Sequence, residues 1–118
     1  LVTAGPTNEY IDPVRFINKK SSGKQGYALA KSLVKKGFKT TLISGPTNLK
    51  TDHNIKLIKV ETADEMFRAT QDNLPADVAI FSAAVSDFKI KEKKNKKIKK
   101  KENKNLELEK NKYILNYV

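Results

Sequence analysis

Residues 77–85 read DVAIFSAAV, seven apolar side chains and one serine behind a single acid. An apolar run of this length without alternation is what a strand buried on both faces looks like, and such strands belong to parallel sheets covered by helices on each side. Working back from it, Thr62, Ala63, Asp64 and Glu65 form a capping box. The Thr62 hydroxyl and the Glu65 carboxylate can satisfy free N–H groups there, which predicts a helix running to about Asn73. Earlier still, residues 55–60 (IKLIKV) alternate like a half-buried strand, and residues 40–44 (TTLIS) are β-branched and closed by Gly45 and Pro46. Residues 23–37 carry Tyr27, Leu29, Ala30, Leu33 and Val34 at helical spacing before a glycine stop, and residues 1–4 are a short apolar run ended by Gly5 and Pro6.

Strands and helices in alternation imply right-handed crossovers. The expected fold class is therefore α/β, a three-layer Rossmann-like sandwich with a mostly parallel sheet, truncated at the C-terminus. Ligands of such sheets sit beyond the carboxyl ends of the strands. Gly5, Gly45, residues 82–87 and the start of the first helix are accordingly expected to converge on one crevice.

Length and composition bound the rest. The chain has 118 residues, enough for one domain, and its opening LVTAG, without Met, reads as part of a longer polypeptide. No cysteine is present, which excludes disulfide scaffolds and thiolate metal sites. With no signal-like start and no 18-residue apolar run, a cytoplasmic domain without membrane contact is expected. His53 stands alone beside Asp52 in a polar stretch, so no metal site is expected.

The net charge of +11 is local, because residues 89–105 hold ten lysines and two glutamates. That segment contains no arginine and no aromatic ring to stack on bases, so nucleic acid is an unlikely partner. Such composition predicts a lysine-rich flexible loop, either simply solvated or closing over an anionic ligand.

Residues 16–26 (FINKKSSGKQG) resemble a phosphate loop at first sight. A P-loop needs glycine five residues before the Gly-Lys pair and Ser or Thr after it, where this chain has Asn18 and Gln25. A dinucleotide fingerprint must follow the first strand directly and needs an acid at the end of the second, but Gly23 and Gly26 come late and Ser44 ends the second strand. A nicotinamide-dependent reductase is thereby disfavoured. What remains is a helix start at which Ser21, Ser22 and Gly23 offer N–H groups beside Lys24, a place for an anion. Ser21 and Ser22 could equally be plain helix caps.

Six ordered stretches carry a resemblance: residues 3–17 (TAGPTNEYIDPVRFI), 21–30 (SSGKQGYALA), 41–49 (TLISGPTNL), 60–66 (VETADEM), 82–88 (SAAVSDF) and 96–100 (KKIKK). Together they resemble phosphopantothenate-cysteine ligase, the C-terminal half of a bacterial coenzyme A biosynthesis flavoprotein. Residues 1–118 would then be a partial ligase domain, and FMN would belong to a decarboxylase half outside this chain.

The resemblance implies a ligase that joins 4'-phosphopantothenate and cysteine through an acyl cytidylate made from CTP with Mg²⁺, working as a homodimer. It implies nucleotide contacts from Gly5, Pro6 and Thr7, from Ser21, Ser22, Gly23 and Lys24, and from Phe81, Ser82, Ala83, Ala84 and Asp87. Lys97 matches a lysine of the family's KIKK motif, and Asn111, Lys112, Tyr113 and Ile114 correspond to its NPDI turn. Arg15 matches an arginine that reaches the phosphopantothenate phosphate across a dimer interface. Lys19 stands where the family has the asparagine that converts the acyl cytidylate, with Asn18 one residue earlier, so Lys19, Asn18 and Lys97 are the candidate catalytic groups. Asp87 could otherwise be a turn cap.

Overall fold

A computed structural model describes residues 1–99 and 105–117. In chain order it contains β1 (Val2–Ala4), β2 (Glu9–Tyr10), β3 (Phe16–Ile17), α1 (Lys24–Lys35), β4 (Thr41–Ser44), β5 (Lys56–Lys59), α2 (Ala63–Asp72), β6 (Ile80–Phe81), β7 (Phe88–Ile90), β8 (Leu108–Lys110) and a 3₁₀ turn (Ile114–Asn116). The main sheet runs β5-β4-β1-β6, and every neighbouring pair in it is parallel.

Alternation along the strands sorts the core into two halves. Val2, Ala4 and Leu42 meet α1 through Tyr27, Ala30, Leu33 and Val34. Ile43, Ile58 and Phe81 point the other way, onto Met66 and Phe67 of α2 and onto Ile114. Helix, sheet and helix thus make the three expected layers. Leu42, Ile43 and Met66 are fully buried, and each such side chain stabilises the fold by roughly 1.5–3 kcal/mol.

Local chemistry sets the helix ends. Thr62 Oγ1 accepts from the Glu65 N–H at 3.2 Å, while the Glu65 carboxylate reaches Glu61 N–H at 2.9 Å, one residue earlier than a strict capping box requires. At the other helix Gly26 permits close approach to the sheet: a Cβ on it would lie 2.3 Å from Ala4 Cβ and 2.6 Å from Ser82 Oγ. Only a glycine lets α1 lie this near β1.

The run at 77–85 departs from expectation in its burial. Its ladder extends past β6, with Ile80, Ser82 and Ala84 N–H donating to Leu1, Thr3 and Gly5 carbonyls at 2.8, 3.1 and 2.8 Å. Yet Val78 is 50% exposed and residues 80–85 are half-buried rather than buried. The reason is position: among the described residues β6 pairs only with β1 and is an outer strand of the sheet.

Two small antiparallel pairs, β2–β3 and β7–β8, flank the sheet. The second takes in Lys89 and Ile90, the first residues of the lysine-rich segment expected to be a loop. Further along, Lys94 N–H donates to the Ile11 carbonyl at 2.9 Å. Residues 100–104 of that segment lie outside the described residues.

Candidate functional site

In the order β5-β4-β1-β6, chain progression reverses between β1 and β6, so their carboxyl ends diverge and open a crevice. Gly5, at φ +78°, turns the chain out of β1, and its carbonyl holds Ala84 N–H at 2.8 Å. Pro6 bridges to Ala84, Thr7 N–H reaches the Ala84 carbonyl at 3.3 Å, and Thr7 Oγ1 accepts from Ser86 N–H at 3.0 Å. Both main-chain groups of Ala84 are thereby committed.

Beyond this floor lies a crevice of about 450 Å³. Phe81, Ala83, Asp87 and Lys19 line it from one side, and Asn111 to Ile114 from the other. Lys19 Nζ lies 3.1 Å from Asp87 Oδ2, and both side chains remain largely exposed. Ser82 faces elsewhere, its hydroxyl donating to the Thr3 carbonyl at 2.6 Å. Lys112 Nζ sits over the Phe67 and Tyr117 rings, 4.9 and 5.6 Å from their centroids.

Ser21 to Lys24 do not line that crevice. They stand on the α1 face of the same sheet edge, where a Cβ on Gly23 would be 2.8 Å from Thr47 Cγ2 and 3.4 Å from Gly5 Cα. Ser21 Oγ accepts from Gly23 N–H at 3.2 Å, and Ser22 Oγ from Lys24 N–H at 3.3 Å. An anion there would have to displace the serines or use the next two amides. Asn18 donates to Asn8 Oδ1 at 3.1 Å.

Arg15 and Lys97 lie apart from the crevice as well. Arg15 Nη1 contacts Asp12 Oδ2 and, at 3.4 Å, the Ile98 carbonyl, while Lys97 is exposed beside it.

Two buried acids went unnoticed in the sequence. Glu9 accepts from Ala63 N–H, the first residue of α2, at 3.2 and 3.3 Å and from Asn111 Nδ2 at 3.4 Å. Burial pushes its carboxyl up, with Ala63 and Asn111 pulling it partly back. The Asn111 amide also donates to the Ser86 carbonyl at 2.8 Å, which fixes its orientation and leaves its buried Oδ1 without a partner among the described residues. Asp12 is the second. Burial would raise its carboxyl too, but N–H donors from Ile98, Val14 and Arg15 together with the guanidinium hold it down at about 2. Nothing local in the sequence marked their burial, since their partners lie 54 to 102 residues away for Glu9 and up to 86 for Asp12.

No helix among the described residues is long and apolar enough to cross a membrane, and no group of three or more acids, histidines or cysteines there could hold a metal ion.

Comparison with known proteins places this geometry. A coenzyme A biosynthesis bifunctional protein CoaBC from Haemophilus influenzae is 46% identical over 92 residues, 77% of this chain. The chain spans 23% of that protein's length. A crystal structure of the C-terminal domain of a CoaBC protein superposes with a TM-score of 0.81 at 41% identity, covering 97% of this chain and 54% of that one. The DNA/pantothenate metabolism flavoprotein from Streptococcus pneumoniae superposes equally well, TM-score 0.81, at 26% identity over 97% of this chain and 60% of its own. The model of the DNA/pantothenate metabolism flavoprotein C-terminal domain matches residues 1–118, and the chain belongs to that family.

Proposed function

We propose that this chain is the nucleotide-handling part of a phosphopantothenate-cysteine ligase of coenzyme A biosynthesis that uses CTP. A carboxylate cannot expel oxide, so the carboxylate of 4'-phosphopantothenate attacks the α-phosphorus of CTP, pyrophosphate leaves, and an acyl cytidylate forms. The amine of cysteine then attacks the acyl carbon, CMP leaves, and an amide bond results with loss of the ammonium proton. Both early substrates are polyanions, so groups that offset charge developing on phosphate oxygens lower the barrier.

The observation that carries this reading is convergence. Four stretches far apart in sequence, supplying Thr3, Lys19, Phe81 with Ala83 and Asp87, and Asn111 to Ile114, line one 450 Å³ crevice at the reversal of strand order. The Ala83 carbonyl has no donor among the described residues, so it is available to the exocyclic amine of cytosine. Lys112 brings positive charge to the crevice and Lys19 at its mouth would serve the second step, while Lys97, outside the crevice, would meet the triphosphate as its motif position implies. Arg15 would take the phosphate of phosphopantothenate, in a homodimer from across the interface.

Asp87 is the acid on the crevice and is already paired with Lys19, which fits a Mg²⁺ carried in on the triphosphate rather than one held in advance by protein carboxylates. When bound, that ion would offset phosphate charge.

The test is a thermal-shift series on the full-length protein bearing these residues, with Mg²⁺ and CTP, ATP, NAD or a DNA oligomer, followed by product analysis. Stabilisation by CTP, with equimolar CMP, pyrophosphate and phosphopantothenoylcysteine, is expected. Stabilisation by NAD or DNA alone would replace the ligase with a reductase or a nucleic-acid module.

A further inference from the structure

Asp12 binds three things at once. Its side chain is wholly buried. Oδ1 accepts from the N–H groups of Val14 and Arg15 at 2.9 and 2.8 Å, closing the turn on itself. Oδ2 accepts from the Arg15 guanidinium and from Ile98 N–H, the latter at 2.9 Å across 86 positions of sequence. Arg15 Nη1 also reaches the Ile98 carbonyl at 3.4 Å, so both main-chain groups of Ile98 are held by one ion pair. The Lys94 N–H bond to Ile11 adds a further tie between the same two segments.

This grip orients Arg15. Nη1 is turned inward, while Nε and Nη2 meet no acceptor among the described residues and the side chain is 41% exposed. A guanidinium anchored at one corner presents the rest of its planar fork to a phosphate with little rotamer freedom left to lose.

We propose that Asp12 is a positioning residue that couples the two substrates: it locks Arg15 to the Ile98 peptide, so the phosphate held by Arg15 and the nucleotide contact made by the adjacent Lys97 are felt by one another. This rests on the ligase reading above for the identity of the two ligands. A phosphate on the outer edge of Arg15 competes with Asp12 for the guanidinium charge and changes the hold on Ile98. Linkage makes the effect reciprocal: CTP must change phosphopantothenate affinity by the same factor.

Three variants of the full-length protein test it. Asp12→Asn keeps an acceptor for the turn but loses the charge and turns an amide toward a donor. It should raise KM for both phosphopantothenate and CTP by about tenfold, the scale of losing a hydrogen bond to a charged group. Ile98→Pro removes the N–H donor, together with the isoleucine side chain and some freedom of the preceding Lys97, so it should raise KM for CTP severalfold and leave that for phosphopantothenate near the parent value. Arg15→Ala should raise KM for phosphopantothenate and abolish the dependence of CTP affinity on phosphopantothenate. A phosphopantothenate defect in Asp12→Asn with CTP unchanged, or CTP affinity indifferent to phosphopantothenate in the parent, overturns the coupling. Hydrogen exchange read at the Ile98 amide stands apart from activity. Protection in the parent that is lost in Asp12→Asn supports the tether even if no ligase turnover is seen, and an unprotected Ile98 amide in the parent overturns it. Should Asp12→Asn fail to fold, the Ile98→Pro kinetics and the parent exchange decide the matter.

Discussion

Lys19 Nζ and Asp87 Oδ2 stand 3.1 Å apart, joining the segment that leads into α1 to the one that follows β6 at the mouth of the crevice. Neither side chain is desolvated, with 49% and 70% of their surfaces exposed, so the pair contributes little to folding. Its effect is on what enters. While paired, Lys19 is held at the crevice beside the Asp87 carboxylate.

Lys19→Ala should therefore leave the urea midpoint nearly unchanged, a shift within about 0.5 kcal/mol, as for other exposed pairs. Pyrophosphate release from CTP should persist, while phosphopantothenoylcysteine formation falls about tenfold or more. Quench-flow separation of the two half-reactions checks this; equal losses in both would place Lys19 on the nucleotide rather than on the second step.

Gly26→Ala should destabilise by about 3 kcal/mol or prevent folding, because its Cβ would overlap Ala4 and Ser82 in a layer that cannot part without separating α1 from the sheet. Gly37, at φ +91° with nothing within 4 Å of a built Cβ, offers the contrast. Gly37→Ala should cost only the backbone strain of a left-handed alanine, about 1 kcal/mol. Urea denaturation of both variants separates crowding from conformation.

Acid titration should show two opposed contributions. Asp12 titrates at about 2 in the fold against an ordinary 3.8, so the folded state holds fewer protons and stability is lost as pH falls from about 4 to about 2. Glu9 is pushed up from 4.5, chiefly by burial, so the unfolded chain releases its proton first and this contribution is lost as pH rises above 4.5 through the raised value. Asp12→Asn should flatten the acid limb and Glu9→Gln the slope above pH 4.5, both read from Tm against pH.

Lys97→Ala should weaken CTP binding more than Lys99→Ala does, although both lysines are exposed and one residue apart from Ile98. Calorimetry at low and physiological salt is the check. Equal losses that vanish together with salt would reduce both to diffuse charge.

The main sheet was legible because its signals are local. Alternation in residues 55–60, β-branching in 40–44 and a Thr-to-Glu cap each describe a few neighbours, and β4, β5 and α2 follow them closely. Burial of residues 80–85 was not legible, because an apolar run does not say whether one strand or two will flank it. Nor were β2, β3, β7 and β8, which are two or three residues long and depend on partners, as Glu9 opposite Ile17 and Phe88 opposite Lys110 show. Of the motif residues, Lys19, Phe81, Ala83, Asp87 and Asn111 to Ile114 line the crevice, while Ser21 to Lys24, Arg15 and Lys97 lie apart from it. Motifs could not reveal that Asp12 meets Ile98, since that contact depends on how the lysine-rich segment returns to the first turn.

The sheet order also bears on how the chain is made. Val2 lies against Leu42 on one side and Ile80 on the other, so of the four strands of this sheet the earliest in the chain is an inner one. At elongation speeds of about 5–20 residues per second, β1 waits roughly two seconds at the least for its first neighbour and about four to sixteen for its second. Throughout that interval its unpaired N–H and C=O groups are open to any other extended chain. A ribosome-associated chaperone that shields β1 should raise the yield of folded protein, and a pause in synthesis just before the Ile80 codon should lower it.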